Sequence, residues 1–337
     1  MWRYVLKRVL MMIPILLVVL ILVFVITHYM PGDPVRVVLG SNYTEEQYIE
    51  MSQQMGLDKP LIAQFGNYLY NLVFNHSFGT SYLTSRAVTT ELSGRIVVSI
   101  RIGLLSCLLT TCIAIPVGII SAVNKNSILD YIISTLSIII AALPNFWVAL
   151  MCIIIFCLRL GWLPATASAS WQGYILPVIC NGTLSLAIVT RQTRSSMLDV
   201  VRQDYMRTAR AKGLSSTQTV IRHGLKNAML PVLATLGTQF SMIVGGSVVI
   251  ENIFAVPGMG ARLVTAINQR DYTVVMAIVV IISAFSMCIL LLVDILFGLI
   301  DPRVKAQFAG KVRRKKSKKI IVNEKTEEKV DRKEGQS

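Results

Sequence analysis

The sequence lacks the short motifs by which most enzymes are recognised. It has no GxxxxGK[ST] run to cradle nucleotide phosphates, no HExxH and no GxSxG. Its only histidines, His28, His76 and His223, are widely separated, which argues against a metal centre or a catalytic triad. None of the six cysteines has CxxC spacing, and we interpret them as small buried apolar residues. We therefore expect a non-catalytic chain that binds no metal and no cofactor.

Charged residues are also scarce, at 15% of the 337 residues, whereas hydrophobic residues make up 54%. The apolar residues are concentrated in six runs that contain no charge. A bilayer core requires roughly 20 apolar residues per helix, so each run can hold one span. Continuous runs of this length favour helices over barrel strands. The sequence predicts an all-α membrane protein with six transmembrane helices, over about 9–30, 102–122, 131–158, 174–190, 231–250 and 274–299.

The spans divide the chain into a transmembrane domain, 1–304, and a basic tail, 305–337, that we expect to be disordered. The first run has a basic start like a signal peptide. It lacks a small-x-small cleavage site and has a long apolar core, so we expect a retained anchor. A long outer loop, 31–99, follows it. A helix starting near Pro60 is predicted within this loop.

The distribution of lysine and arginine indicates the topology. With a cytoplasmic N-terminus, the short inner segments hold 12 basic residues and the short outer segments hold 3. Since basic residues prefer the cytoplasmic side, both termini are predicted to be cytoplasmic. The net charge of +15 is explained in this way, and nucleic acid is not expected as a partner. The basic stretch Lys311–Lys319 is either a contact for anionic lipid or a solvated topology signal.

Two features interrupt the apolar runs. Pro144 and Asn145 lie in the third run, where a proline frees backbone carbonyls and marks either a cavity wall or a structural kink. Asp294 lies near the cytoplasmic end of the sixth run, and we expect it to snorkel or to pair with an arginine on the inner side.

A basic polar loop, 191–230, is the strongest positive signal. It contains Asp204-Tyr-Met-Arg-Thr-Ala-Arg-Ala-Lys-Gly213, a helix-prone run that Gly213 can end as a C-cap. Ser215-Ser216 can cap a second helix that runs to about Lys226. The pattern predicts either a compact knob for a soluble partner or a basic loop that anchors two spans.

This loop resembles the ATPase-docking loop of permease subunits of ATP-binding-cassette (ABC) importers, in the peptide/nickel branch. Of the general pattern Glu-Ala-Ala-x-x-x-Gly only Ala209 and Gly213 agree, but Asp-Tyr-x-Arg-Thr-Ala-Arg-Ala-Lys-Gly is usual in that branch. Three further pieces resemble the same branch in the same order, so the resemblance covers residues 1 to about 305. They are Pro31-Gly-Asp-Pro34, Gly56-Leu-Asp-Lys-Pro60 with Phe78-Gly-Thr-Ser81, and Glu251-Asn-Ile-Phe-Ala-Val-Pro-Gly-Met-Gly260.

The resemblance implies a type I ABC importer permease-like fold in a bacterial or archaeal cytoplasmic membrane. It implies a second homologous permease, two P-loop ATPase subunits that use ATP and Mg, and an extracytoplasmic solute-binding protein as partners, with membrane lipid around the bundle. Pro257, Gly258 and Gly260 would contact the binding protein or form an outer gate, and Pro144 and Asn145 would belong to the cavity wall. The coupling residues would be Asp204, Tyr205, Arg207, Thr208, Ala209, Arg210, Ala211, Lys212 and Gly213.

The resemblance leaves the substrate open. Di- and oligopeptides are the leading prediction, and nickel or another small solute of the same branch is the alternative. A secondary transporter without ATPases is the rival from another class. Such transporters place ionisable residues near mid-membrane. The first five runs have none there, which argues against that reading.

Overall fold

A computed structural model describes residues 2–167 and 170–300, so the predicted tail, 305–337, lies outside the described residues. Within these ranges all regular structure is helical, apart from an isolated bridge between Thr80 and Ala87. Short π-helical segments occupy Ile153–Arg159 and Val220–Gly224, and a 3-10 turn occupies Trp171–Tyr174. The α-helices are α1 (Trp2–Tyr29), α2 (Pro34–Leu39), α3 (Glu45–Met55), α4 (Leu61–Phe74), α5 (Val88–Val123), α6 (Ile128–Ala142), α7 (Asn145–Cys152), α8 (Ile175–Val201), α9 (Asp204–Ala211), α10 (Ser216–Thr219), α11 (Leu225–Ile253), α12 (Met259–Asn268) and α13 (Tyr272–Ile300).

Five of these helices, α1, α5, α8, α11 and α13, are long and apolar enough to cross a membrane. Each contains most of one predicted span and extends beyond it. The extensions are largest in α5, which begins at Val88 rather than about 102, and in α8, which continues to Val201 rather than about 190. The polar loop between α8 and α11 is correspondingly shorter than the predicted 191–230.

The third predicted span, 131–158, is broken rather than continuous. Leu143 is extended (φ −83°, ψ 130°), and α7 starts after Pro144 at 102° to α6. Proline has no N–H to continue a helix, and it disfavours the helical conformation in the residue before it. The bent pair α6–α7 is the sixth candidate span.

The centre of the bundle is a close pair formed by α5 and α8. Ser106 Oγ donates to the Val178 carbonyl (2.9 Å), and Thr110 Oγ1 donates to the Gly182 carbonyl (3.3 Å). Both contacts join residues 72 positions apart, so the two helices run parallel. Small residues allow helices to approach closely within a membrane. The buried small residues of α5 are Ser99, Gly103, Ser106, Thr110, Ala114, Gly118, Ser121 and Ala122.

The other long helices are added to this pair one after another. α11 runs antiparallel to it, with Val232 packed in a cluster with Ala114 and Val189. α13 lies antiparallel along α11, and α1 lies along α13. The ion pair between Arg8 of α1 and Asp294 of α13, with 2.7 Å between Nη1 and Oδ2, fixes that last contact. The predicted pairing of Asp294 with an arginine is thus confirmed, and the side of the membrane on which it lies stays a prediction.

These directions define two ends of the bundle. The start of α1, the turn 124–127 and the segment around α9 lie at one end, which we call the α9 end. The long loop 31–87 and α12 lie at the other, which we call the α12 end.

The predicted helix in the long loop is present as α4, which begins directly after Pro60. Its apolar stripe packs against the end of α1, where the rings of Phe65 and Phe24 lie 5.2 Å apart. The opposite face of α4 is also apolar but exposed, with Ile62 and Phe74 at 87% and 68% exposure.

Candidate functional site

The predicted coupling segment forms a short helix, α9, held against the bundle by one side. Met206 is fully buried and Ala209 nearly so, and these residues lie three positions apart on one helix face. Met206 packs beside Gly224 and Val200, where a side chain at position 224 would meet the Met206 methyl group. The sequence analysis did not assign Met206 a role, although it is a lone large apolar residue within a charged run.

The opposite face of α9 is polar and exposed. The Arg207 and Asp204 side chains are 78% and 98% exposed, and their ion pair is long at 4.0 Å. Tyr205 is partly anchored, because its hydroxyl accepts a hydrogen bond from Asn227 Nδ2 at 3.0 Å. Thr208 and the residues that follow α9 are also exposed. The predicted residues that the structure exposes are Asp204, Tyr205, Arg207, Thr208, Ala211, Lys212 and Gly213.

Two turns fix the shape of this segment. Gly213 has φ +85°, a left-handed conformation that favours glycine and ends the helical run as predicted. Ser215 then caps α10, since its Oγ accepts from the Gln218 N–H (3.2 Å) while Gln218 Oε1 accepts from the Ser215 N–H (3.4 Å). The predicted second helix does not stop near Lys226. It continues through the π-helical segment into α11, so the segment is continuous with a membrane span.

A buried ion pair braces the same end of the bundle. Asp130 accepts from Arg194 through both carboxylate oxygens, at 2.7 and 2.8 Å, and from Ser121 Oγ at 2.5 Å. It also accepts from the Asn126 N–H at 3.0 Å. The Asp130 side chain is only 2% exposed, so the pair ties the turn after α5 to the end of α8. The sequence analysis missed it, because a single aspartate at the start of an apolar run gives no sign of its partner.

At the α12 end, the segment 251–260, which we call the Glu251 motif, caps α12. Glu251 Oε2 accepts from the N–H groups of Gly260 (2.7 Å) and Ala261 (3.4 Å), and Ser99 Oγ accepts from that of Met259 (2.8 Å). A carboxylate at this position accepts from the first free N–H groups of α12 and interacts favourably with the positive, N-terminal end of the helix dipole.

The predicted contact residues of this motif differ in accessibility. Pro257 is exposed, whereas Gly258 and Gly260 are buried. A Cβ at position 258 would overlap the Glu251 carboxylate, and one at position 260 would overlap the backbone of Val248. The two glycines thus allow α12 to approach α11 closely, and Pro257 alone of the three presents a surface.

A second buried network joins α12 to the long loop. Arg262, 5% exposed, forms ion pairs with Glu91 and Asp271, the latter at 3.2 Å. Asp271 is fully buried and also accepts from Ser81 Oγ (2.5 Å) and the Tyr82 N–H (3.3 Å). Two distant stretches of the chain, 81–91 and 262–271, are therefore locked together. Sequence spacing contains no signal for these contacts.

The candidate wall residues lie at the break of the bent pair, where Pro144 is exposed and Asn145 is half-buried. Beside α7, the helix α11 carries an exposed stripe with three- and four-residue spacing, made of Pro231, Ala234, Thr238, Met242, Gly245 and Val249. Among the residues described, no group of three or more His, Cys, Asp or Glu side chains could hold a metal ion.

A bundle of five long apolar helices and one broken pair, with an ordered polar segment before the fifth span, defines a multi-pass membrane subunit. Residues 114–306 match the family described as "Binding-protein-dependent transport system inner membrane component", and residues 1–103 match its N-terminal part. The chain belongs to this family and is a permease subunit of an ABC importer of the inner membrane.

The chain is similar to curated relatives over nearly their whole length. It is 40% identical to "Glutathione transport system permease protein GsiC" of Salmonella choleraesuis over 305 residues, which are 90% of this chain and 99% of the relative. It is also 40% identical to the GsiC protein of Escherichia coli (strain K12) over 306 residues, again 90% and 99%. A chain of a solved amino acid ABC transporter with histidines is 18% identical, with a TM-score of 0.47, covering 64% of this chain and 94% of that one.

Proposed function

We propose that this chain forms, together with a second similar permease, the membrane path of an ATP-driven importer of di- and oligopeptides. We further propose that α9 is the surface on which an ATPase subunit docks. One observation carries the proposal: α9 exposes a polar face and is anchored by Met206 beside Gly224, which lies in the helical run that continues without a break from α10 into α11.

The charge distribution supports a cytoplasmic position for the α9 end. The short segments at this end carry 12 lysines and arginines, and those at the α12 end carry 3. Basic residues remain on the cytoplasmic side during insertion. A P-loop ATPase, which uses cytoplasmic ATP and Mg, would then meet α9 directly.

Movement of a docked ATPase would be transmitted from α9 to the membrane-spanning helix α11 through packed side chains. An ATPase that pushes on Arg207 or Lys212 would move α9 as a body, because Met206 packs beside Gly224 and Ala209 is buried on the same face of α9. That segment leads directly into α11. Closure of an ATPase pair would therefore displace the exposed stripe of α11 rather than only bend a loop.

The stripe of α11 is our proposed path surface. It combines small and larger apolar residues, among them the exposed Met242, with one hydroxyl, at Thr238, and no charge. Such a surface makes few strong contacts with a neutral peptide backbone, which suits release after each step. A second permease facing this stripe would close the path, with the break at Pro144 beside it.

The α12 end would receive the solute-binding protein. The exposed apolar face of α4, with Ile62 and Phe74, and the exposed Pro257 provide contact surface there. The networks of Arg262 and Glu251 hold this end rigid, so that a docked protein would find a preformed surface. Peptide specificity would lie mainly in the binding protein. The curated relatives are named as glutathione transport permeases, which is consistent with this substrate class because glutathione is a small peptide.

The docking proposal is tested by purifying the tagged chain from its native membrane in mild detergent and identifying bound proteins by mass spectrometry. We expect a second permease and P-loop ATPases. The double substitution Arg207→Glu with Lys212→Glu should remove the ATPases and leave the second permease bound. Lys125→Glu, an exposed change at the same end but outside α9, is the matched control. Recovery of the chain alone, or equal ATPase recovery with all variants, would contradict the proposal.

The substrate is tested separately in proteoliposomes that contain the complete complex. Uptake of labelled dipeptides, glutathione and nickel chelates is compared with and without ATP. ATP-dependent uptake of peptides supports the proposed class, whereas uptake of nickel alone would replace it.

A further inference from the structure

An apolar groove of about 690 Å³ lies between α5 and α8 near the α12 end. Its floor and walls are aliphatic, with Leu105 and Leu108 from α5 and Ile175 and Ile179 from α8. Cys112 is exposed and lies at the end of the groove farthest along α5 from Arg101. Arg101 and Trp171 lie at its mouth, and Trp171 is 74% exposed.

The groove faces away from the proposed path. Gly103 of α5 faces Val244 of α11, where a Cβ at position 103 would contact the valine at 3.4 Å. Arg101 precedes Gly103 by two residues, which places it about 160° around the helix, on the far side. The groove therefore opens on the outer surface of the α5–α8 pair rather than toward the stripe of α11.

The mouth combines one free positive charge with an interfacial aromatic ring. Arg101 is exposed, and among residues 2–167 and 170–300 no carboxylate lies within ion-pair distance of it. It lies within α5, directly before the uncharged run that begins at Ile102, and we infer from this position that it lies at headgroup level. Trp side chains favour that same level. The position of the charge is thus complementary to an anion at the membrane surface.

The groove below this charge has the length of an acyl chain. From Arg101 to Cys112 there are eleven helical steps, or roughly 16 Å along α5 at 1.5 Å per residue. An apolar helix of a neighbouring protein could fill the groove, but it would place apolar residues against the charge of Arg101. A single chain with a charged head satisfies both parts of the site.

We propose that the groove binds one anionic phospholipid of the outer leaflet. An acyl chain lies between α5 and α8 along Leu105 and Leu108, and the phosphate accepts hydrogen bonds from the Arg101 guanidinium. Trp171 packs over the glycerol region. The lipid fills the outer side of the close helix pair, so that the pair presents a smooth surface to the membrane.

The test uses the full chain, purified in mild detergent and studied by native mass spectrometry. Phosphatidylglycerol, phosphatidylcholine and soluble glycerol 3-phosphate are added separately, and each affinity is measured. We expect phosphatidylglycerol to bind more tightly than phosphatidylcholine, and glycerol 3-phosphate to bind too weakly to detect. Arg101→Gln should weaken phosphatidylglycerol about fivefold and phosphatidylcholine less, because the choline cation already offsets the charge of the phosphate. Arg159→Gln, at an exposed arginine of the same end outside the groove, should change neither affinity.

A second variant separates the acyl contact from the charge. Leu108 is 61% exposed, so Leu108→Trp fills the groove without disturbing the fold, and an unchanged melting temperature verifies this. It should weaken both phospholipids. Equal phosphatidylglycerol affinity in wild type and Arg101→Gln would overturn the proposal. So would tight binding of glycerol 3-phosphate, or efficient crosslinking of a cysteine at position 108 to a second permease in native membranes.

Discussion

Replacing Arg262 with methionine should loosen the α12 end far more than replacing an exposed arginine. The change leaves two carboxylates, Glu91 and the fully buried Asp271, without their shared positive charge. Removing one partner of a buried ion pair costs about 3–5 kcal/mol. Each change of about 1.4 kcal/mol alters the equilibrium constant for opening by a factor of ten. Opening of α12 should therefore become more frequent by at least about 100-fold.

Hydrogen exchange of the full chain in lipid nanodiscs, read by mass spectrometry over residues 259–271, measures that opening. Asp271→Asn should have a smaller effect, about 1–3 kcal/mol, because Arg262 keeps its pair with Glu91. Arg36→Met is the control, since the Arg36 side chain is 68% exposed in its pair with Asp33 and such pairs contribute about 0–1 kcal/mol. If Arg262→Met and Arg36→Met accelerated exchange equally, the buried network would not hold α12.

Three further predictions follow from contacts at the centre and at the α9 end. Gly182→Ala should lower the free energy of unfolding by about 1–3 kcal/mol, because its methyl would lie 2.7 Å from a hydroxyl of α5. Gly66→Ala, with open space around it, should stabilise α4 by about 0.5–1 kcal/mol. The two variants should shift the thermal unfolding temperature in opposite directions. Gly213→Val should reduce ATPase co-purification, because a β-branched residue avoids φ +85°, and Gly213→Asn should retain most of it. Asp130→Ala should cost about 1.5–3 kcal/mol in the same unfolding assay. Adding Arg194→Ala should cost little more, and full additivity would show that the two residues are not coupled.

The spans were predictable because a helix that crosses the lipid must be apolar over most of its length, and such runs are visible in the sequence. Their number, their order and the helix at α4 follow from composition and from residues such as Pro60. The helix ends were less predictable, since α5 and α8 continue into polar sequence where hydrogen bonds within the helix, rather than hydrophobicity, maintain the structure. The bend at Pro144 was indicated as a kink, but its angle depends on packing against α8 and α11.

The contacts that stabilise the proposed sites could not be predicted in the same way. Asp130 meets Arg194 across 64 residues, and Arg262 meets Glu91 across 171 residues. Nothing local in a single sequence relates such positions. The family pattern singled out Gly258 and Gly260 as contact residues. In the structure both are buried and allow close packing, which a pattern without coordinates cannot distinguish from a surface role.

The parallel pairing of α5 with α8 also constrains how the protein is made. Its contacts join residues 72 positions apart, and translation at about 5–20 residues per second leaves roughly 4 to 14 s between their emergence from the ribosome. During that interval α5 would enter the bilayer with the Ser106 and Thr110 hydroxyls facing lipid instead of carbonyls of α8. The bent pair α6–α7 is synthesised in the same interval. Insertion of α5 therefore precedes the formation of its main interface, and until α8 arrives these hydroxyls can donate only to carbonyls of their own helix, as Thr111 Oγ1 does to the Cys107 carbonyl.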